Sequence, residues 1–164
     1  RIRVASPWPG PVPEDVSEND RSLMVRWRCG RRRALLLGDG GHRTEAAWLA
    51  AAADSGVPTD SLRSHVMAVP HHGSRESTGE ALLAVVRPAL AVVSCATGNP
   101  HGHPHRETLE RLAAAATAVL RTDRDGTVTL TASPAGFRVR WERDFPGPLA
   151  LLPAFPLSGS RRFP

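Results

Sequence analysis

The chain has 164 residues, of which 41% are hydrophobic, and a formal net charge of +5 at pH 7. This composition predicts one folded domain rather than a disordered chain. The sequence contains no run of about 18 apolar residues, so it predicts no membrane-spanning helix. All 21 basic residues are arginine, and their small, dispersed excess is compatible with a solvated surface or with weak binding of phosphate-rich partners.

The first third of the sequence predicts three strands and a helix. Residues 1–5 form a short strand, and the proline-rich segment 6–20 forms a loop. A hairpin of strands 22–28 and 33–37 follows, since the first arm alternates with a period of two and places on one face Leu23, Val25 and Trp27. Helix 44–54 then presents an apolar face of Ala46, Leu49, Ala50 and Ala53.

The middle of the sequence alternates strands with helices. Strand 65–69 precedes a helix that begins at the capping box from Ser77 to Glu80 and ends at Val86. Strand 89–94 is apolar throughout and is expected to be buried on both faces. The next helix is predicted to have Pro104 at its first position, with one apolar side formed by Leu109, Leu112 and Ala116.

Three strands complete the folded part, over residues 119–122, 127–131 and 137–142. The order of elements predicts an α/β layered fold. We assign residues 1–143 to this domain and residues 144–164 to an irregular, proline-rich tail that packs through Leu149, Leu151, Leu152 and Phe155. Because the chain begins at Arg1 within a strand-like run, we expect its natural N-terminus to lie upstream.

Polar, glycine-containing segments follow three of the predicted strands. They are Gly38 to Gly41 with Asp39, the segment His71-His72-Gly73-Ser74, and the segment from Asn99 to His103. Ligands of α/β proteins gather at the carboxyl ends of strands. Carboxylate and imidazole groups meeting there are the donors from which hydrolytic metal sites are built.

Each of these side chains also has a simpler interpretation. Asp39 could start a turn or cap a helix, and the two adjacent histidines could cap backbone groups. If they leave a strand in extended conformation, His71 and His72 point in opposite directions, so one faces the site and the other orients it. We favour His72 as the ligand, and we expect Ser74 and the Gly73 amide to bind a phosphate oxygen.

A histidine tract follows strand 89–94. It consists of His101, His103 and His105, and such a cluster can bind metal without having evolved to do so. His105 lies in the first turn of the predicted helix and is expected to face solvent. His103 precedes Pro104 and can point back over the strand end, so it is the functional candidate of the three.

Taken together, these motifs resemble the metallo-β-lactamase-type domain of ComEC, the DNA-uptake channel protein of natural competence. The resemblance runs from about Asn19 to Val128. It rests on five stretches in order: Asn19-Asp20-Arg21-Ser22-Leu23, Leu37-Gly38-Asp39, Val69-Pro70-His71-His72-Gly73-Ser74, Asn99 with Gly102-His103-Pro104, and Arg121-Thr122-Asp123 with Gly126.

The resemblance implies an αββα sandwich and a hydrolase with two divalent ions, Zn or Mn. Asp39 would bridge the ions, His72 would be a ligand with His71 beside it, and His103 would act near the substrate. The substrate, a nucleic-acid phosphodiester, would contact His103, Gly73, Ser74 and Asn99. In the full-length protein the domain would be membrane-associated, on the extracytoplasmic side.

One departure from the family is large, because its His-x-His-x-Asp-His motif does not occur in this sequence. The chain therefore resembles the second half of the domain, and we expect it to be inactive alone, with the first half and a membrane channel upstream. An exposed apolar patch should mark the face that the first half would cover. The alternatives are a non-catalytic remnant that binds nucleic acid, or a truncated stand-alone hydrolase of this fold, which would be cytoplasmic.

Overall fold

A six-stranded sheet and a three-stranded sheet organise the protein. The computed structural model describes residues 1–6, 8, 10–133, 136–142 and 160–163. The larger sheet has the order β1-β2-β3-β4-β5-β6 and the smaller one β7-β8-β9. The strands are β1 Ile2–Ala5, β2 Met24–Cys29, β3 Arg32–Leu36, β4 Val66–Ala68, β5 Leu90–Val93, β6 Ala118–Arg121, β7 Val128–Ser133, β8 Gly136–Trp141 and β9 Ser160–Phe163.

Helices connect the strands of the larger sheet. They are α1 His42–Asp54, α2 Thr59–Leu62, α3 Glu80–Val86, α4 Arg106–Ala114 and α5 Thr122–Asp125, with 3-10 turns at Asn19–Arg21 and Pro70–Gly73. The strands β1, β2 and β3 pair antiparallel, and β3 to β6 pair parallel. The predicted α/β class is confirmed, while α2 and α5, each four residues long, were not predicted. None of the described helices has the length and apolarity needed to cross a membrane.

The predicted face of α1 is wrong. Its buried residues are Thr44, Glu45, Trp48 and Ala52, whereas Ala46, Ala50 and Ala53 are exposed. The alanine pattern misleads because an alanine side chain contributes little apolar area to the core. The bulk of Trp48 and the hydrogen-bonding role of Glu45 decide which face is buried.

The predicted capping box at the start of α3 is also wrong. The helix begins at Glu80 with Gly79 as N-cap, and Ser77 donates its hydroxyl to the carbonyls of Pro70 and Ser74. The cap comes from α1 instead, because the Glu45 carboxylate accepts hydrogen bonds from the backbone N–H groups of Thr78 and Gly79. Burial raises the pKa of Glu45, and these two N–H groups act in the opposite direction.

The two faces of the larger sheet differ. One face packs against the helices through Met24, Leu35, Leu37, Met67 and Val93, which are at most 1% exposed. The register also places apolar residues on the other face, in two rows that run across the strands. The first row consists of Ile2, Trp27, Ala34, Val66, Leu90 and Ala118. The second row consists of Val4, Val25, Leu36, Ala68, Val92 and Leu120.

Only part of this second face is covered by described residues. Phe137 and Val139 of β8 pack on Val66, Leu90, Ala118 and Leu120. Toward β1, by contrast, Ile2 is 63%, Val4 58% and Leu36 44% exposed. The expected exposed apolar patch therefore exists, and it includes Leu23, but Leu35 and Leu37 belong to the buried helix-side core and Val25 and Trp27 are partly buried.

Within the described part of the tail lies a strand that the sequence interpretation missed. Ser160–Phe163 pairs antiparallel with β8, as this proline-free segment keeps every backbone N–H available. The predicted boundary at residue 143, the apolar tail residues 149, 151, 152 and 155, and the centre of the turn at 134–135 lie outside the described residues.

We expect Glu45→Ala to lower the free energy of unfolding by about 2–4 kcal/mol, because it leaves two backbone donors of the α3 N-terminus without a partner. Chemical denaturation measures the effect. The matched control is Glu80→Ala, which removes a carboxylate from the same helix end without breaking these bonds and should cost less than about 1 kcal/mol. Equal losses for the two variants would contradict the assigned capping role.

Candidate functional site

Three neighbouring parallel strands deliver polar loops to one edge of the larger sheet. Asp39 follows β3, His71 and His72 follow β4, and Asn99 and His103 lie in the loop after β5. These strands are paired in register as β3-β4 and β4-β5. The predicted convergence at the carboxyl ends is therefore confirmed for all three segments.

The loop that carries Asp39 is fixed from the segment before β2. The backbone N–H of Asp39 donates to the Ser22 hydroxyl at 3.0 Å. Gly38 has φ +57°, and a Cβ on it would lie 2.9 Å from the Ser22 side chain, so glycine is needed both for conformation and for space. Ser22 thus holds the aspartate backbone where β3 ends.

A second anchor of this loop is Asp20. Its carboxylate accepts hydrogen bonds from the Gly41 N–H at 3.2 Å and from the Thr44 hydroxyl at 2.7 Å. Burial raises the pKa of Asp20, but hydrogen bonds from Thr44, Ser17 and Gly41 outweigh it and leave this pKa below its usual value. In the sequence, Asp20 is noted only within the motif Asn19-Asp20-Arg21-Ser22-Leu23, and no local pattern links it to the loop from Gly38 to Gly41.

The backbone of His71 and His72 is left-handed, with φ values of 49° and 54°. The prediction that the two side chains point in opposite directions is therefore wrong, because it assumed an extended chain. Both rings lie near His103, with centroid distances of 5.7 Å for His71 and 6.4 Å for His72. Two consecutive non-glycine residues in this conformation store strain of about 1–3 kcal/mol each, a feature that clusters at functional sites.

His72 faces Asp39 through a nitrogen that is free to act as a ligand. Its Nδ1 lies 2.7 Å from the Ser94 carbonyl oxygen, which can only accept, so Nδ1 carries a proton and donates. Nε2 lies 3.5 Å from Oδ1 of Asp39. In the neutral tautomer with the proton on Nδ1, the lone pair of Nε2 faces the Asp39 carboxylate. That contact is favourable only when a proton or a cation lies between the two groups.

His71 is held differently. Its backbone N–H donates to the Gly38 carbonyl at 3.0 Å, which ties the β4 loop to the β3 loop. Its Nε2 lies 3.3 Å from Nδ2 of Asn19, an amide donor, so this ring nitrogen accepts a hydrogen bond. The contact with Asn19 makes His71 a weaker ligand candidate than His72, and its role as a ligand stays a prediction.

His103 lies at the centre of the histidine group. Its ring centroid is 5.6 Å from that of His101 and 4.9 Å from that of His105, in addition to the two histidines of the β4 loop. Burial, followed by the neighbouring imidazoles beginning with His105, lowers the pKa of His103. The lowered pKa favours the neutral form of His103, in which one ring nitrogen can donate a hydrogen bond and the other can accept one.

The loop of His103 is shaped by Asn99. The Asn99 side chain accepts from the His103 N–H at 2.9 Å and donates to the carbonyls of His103 and Ala96 at 2.7 and 2.9 Å. Its amide is thus fully engaged with its own loop. Its proposed contact with substrate stays a prediction, and the structure assigns it a positioning role.

Gly73 and Ser74 are buried beneath the site. Gly73 has φ +86°, and a Cβ there would lie 2.5 Å from Cβ of Pro104, so a glycine is required for the β4 and β5 loops to meet. The Ser74 carbonyl accepts hydrogen bonds from the hydroxyls of Ser77 and Thr108. Phosphate binding by Gly73 and Ser74 also stays a prediction.

The predicted start of α4 is two residues too early. Pro104, which follows a cis peptide bond, precedes the N-cap residue His105, and the helix begins at Arg106. His105 does not simply face solvent as predicted, because its Nδ1 accepts a hydrogen bond from the Arg75 N–H at 3.0 Å. The backbone N–H of His105 also donates to the Gly73 carbonyl at 2.9 Å, which holds the chain outside the helix up to this residue.

Asp39 and His72 fit two of the roughly four ligands that a zinc ion takes. Among the residues that the structure describes, no group of three or more His, Cys, Asp or Glu side chains is arranged to hold a metal ion. The described site therefore supplies a carboxylate, an oriented imidazole and a second imidazole nearby, and metal binding by these groups stays a prediction.

No protein-family model matches the chain. ComE operon protein 3 of Bacillus subtilis (strain 168) is 32% identical over 117 residues, which cover 71% of this chain and 14% of that protein. Recombination protein 2 of Haemophilus influenzae is 32% identical over 112 residues, or 68% of this chain and 13% of that protein. This chain is homologous to part of the ComEC-type competence proteins.

A third relative supports the same assignment. Competence protein ComA of Neisseria gonorrhoeae is 27% identical over 127 residues, which cover 77% of this chain and 18% of that protein. The chain thus spans less than a fifth of the length of each of these ComEC-type relatives. The family resemblance read from the ordered motifs is confirmed.

We expect Asn99→Ala to loosen the loop from Ala96 to His103, because it removes three hydrogen bonds with the backbone. Local opening should become easier by about 1–2 kcal/mol, and amide exchange in this segment should rise about 5- to 30-fold. Hydrogen–deuterium exchange with mass spectrometry reports it. Asn99→Asp keeps the acceptor for the His103 N–H and should have a smaller effect; unchanged protection in Asn99→Ala would contradict the positioning role.

Proposed function

We propose that this chain is part of a metal-dependent hydrolase that acts on nucleic-acid phosphodiesters within a ComEC-type DNA-uptake protein. The observation that carries the proposal is the 3.5 Å approach of Nε2 of His72 to the Asp39 carboxylate, with the other ring nitrogen committed to the Ser94 carbonyl. Two electron-rich groups fixed face to face are the arrangement into which a divalent cation fits.

In this proposal Asp39 and His72 hold a Zn or Mn ion, and His71 joins them if it gives up Asn19. The remaining ligands, including those of a second ion, come from residues outside this chain. A bound divalent ion supplies an activated water and neutralises charge that develops on phosphate oxygens. The neutral imidazole of His103 hydrogen-bonds the substrate, and Asn99 keeps that imidazole in position.

A metallo-β-lactamase-type αββα sandwich accounts for the uncovered apolar face of the larger sheet. In that architecture a second sheet packs face to face on the first, about 10 Å away, and helices cover the outer sides. Ile2, Val4 and Leu36, which are 44–63% exposed in this chain, would meet residues of the first half of the domain. The protein as a whole would be membrane-associated, with this domain on the extracytoplasmic side next to the channel.

A second candidate function is non-catalytic nucleic-acid binding by a domain that retains the fold. The favouring observation is that the described residues hold no complete group of metal ligands. The two candidates differ in whether this domain hydrolyses phosphodiesters, and hydrolysis by this domain would require Asp39.

We expect Asp39→Asn to lower phosphodiester hydrolysis by about 100-fold or more in the natural protein that contains this chain, because the amide cannot bind the ion as an anion. Cleavage of single-stranded DNA with Mn²⁺ is the measurement. Asp60→Asn is the matched control, since the Asp60 side chain is 90% exposed. Hydrolysis retained by Asp39→Asn, or absent from the unmodified protein, would favour the non-catalytic candidate.

The sandwich predicts that one substitution has different costs in two contexts. Leu36→Ala should destabilise the longer natural protein by about 1–2 kcal/mol more than it destabilises the 164-residue chain, because only the longer protein covers this side chain. Leu35→Ala is the internal control, as Leu35 is buried on the helix side in this chain. Denaturation of both proteins tests this; an equal cost of Leu36→Ala in the two contexts would refute the sandwich.

A further inference from the structure

Five arginines share one surface at the end of the larger sheet away from Asp39. We define the arginine cluster as Arg1, Arg3, Arg26, Arg28 and Arg33. In the sheet register Arg3 is directly opposite Arg26, and Arg28 is directly opposite Arg33. Because side chains alternate along a strand, these residues lie on the face of Met24 and Leu35, while Ile2 and Val4 lie on the other face.

The cluster lines a cleft between the sheet and the segment after α1. The cleft has a volume of about 390 Å³, its other walls include Ser55, Pro58 and Ser61, and none of its lining residues is acidic. The Arg26 guanidinium donates to the Ser61 carbonyl, and that of Arg33 donates to the Asp60 carbonyl at 2.8 Å. Backbone carbonyls hold these side chains in place without neutralising their charge.

Like charges placed directly opposite on neighbouring strands destabilise a sheet. Burial, together with the charges of Arg33 and Arg3, lowers the pKa of Arg26. Within the described part of the chain no carboxylate forms an ion pair with a member of the cluster, although Arg43, Arg75, Arg106 and Arg121 each have an acidic partner elsewhere. The charge of the cluster is therefore not balanced by a described carboxylate and is available to an anionic partner.

We infer that the arginine cluster binds the sugar–phosphate backbone of a nucleic-acid strand, away from the candidate metal site. Neighbouring strands lie about 4.8 Å apart and alternate residues about 7 Å apart, so the five arginines are spread over three adjacent strands, counting Arg1 directly before β1. Several separate cations suit a chain of phosphates better than they suit one anion. The inference rests on the proposed function only in taking nucleic acid as the polyanion.

An anionic membrane surface fits the cluster less well. Surfaces that bind membranes combine basic residues with apolar side chains that enter the lipid. Here the exposed apolar residues of β1 point to the opposite face of the sheet, and the arginines surround a recessed cleft instead of a flat surface.

The test is the salt dependence of binding between the chain and a fluorescent oligothymidine of about 16 nucleotides, measured by anisotropy in EDTA. The substitution pair is Arg3→Gln with Arg28→Gln. Each phosphate contact to a single strand contributes about 0.7 to the slope of log K against log salt, so the slope should fall by about 1.4 and affinity at 0.1 M salt by about 25-fold. Circular dichroism and thermal melting verify that the variants fold.

Two controls make the result specific. Arg43→Gln with Arg106→Gln removes the same charge from exposed positions elsewhere and should change affinity less than about threefold, whereas Arg3→Lys with Arg28→Lys should keep most of the slope. The inference is overturned if both glutamine pairs weaken DNA binding equally, or if Arg3→Gln with Arg28→Gln leaves DNA binding intact. If this pair abolishes only binding to phosphatidylserine vesicles, the cluster binds a membrane surface instead. Because EDTA removes divalent ions, this binding measurement does not depend on the candidate metal site, so failure of the hydrolase proposal would leave its result unaffected.

Discussion

Parallel pairing of β3, β4 and β5 is the constraint on which the candidate site depends. The three strands are short, and each is followed directly by a loop with glycine and a potential ligand or positioning side chain. Parallel strands place their carboxyl ends at one edge, so residues more than 60 positions apart in sequence, such as Asp39 and His103, meet there. Without that pairing, Asp39 in the loop after β3 would not face His72 in the loop after β4.

Buried polar contacts convert this coarse convergence into a defined geometry. Glu45 and Asp20 both direct carboxylates at backbone N–H groups, one at the start of α3 and the other at the loop before α1. Hydrogen bonds from backbone donors to a charged group are stronger than neutral ones. The loops that carry the candidate ligands are therefore anchored by acids that are not themselves ligands, and the left-handed turn at His71 and His72 persists because its surroundings are fixed.

The chain also separates apolar and cationic surfaces along a single strand. In β1 the side chains of Ile2 and Val4 join the uncovered apolar face, while Arg3 and the preceding residue Arg1 join the arginine cluster on the other side. An apolar face of this kind is suited to a second protein layer, and a cationic cleft to a polyanion. The two surfaces lie on opposite faces of the sheet, so both can be occupied at once in a ComEC-type protein.

The sequence by itself determined the order of β1 to β8 with helices α1, α3 and α4, the α/β class and the gathering of Asp39, His72 and His103, because these follow from local periodicity and from where strands end. It did not determine which α1 face is buried, where α3 and α4 begin, or how His71 and His72 are oriented. Those features depend on partners distant in sequence: Glu45 caps α3, Gly73 packs on Pro104, and Ser94 fixes the tautomer of His72. Only the tertiary structure decides such contacts, since a hydrogen bond between loops leaves no periodic signal in the chain.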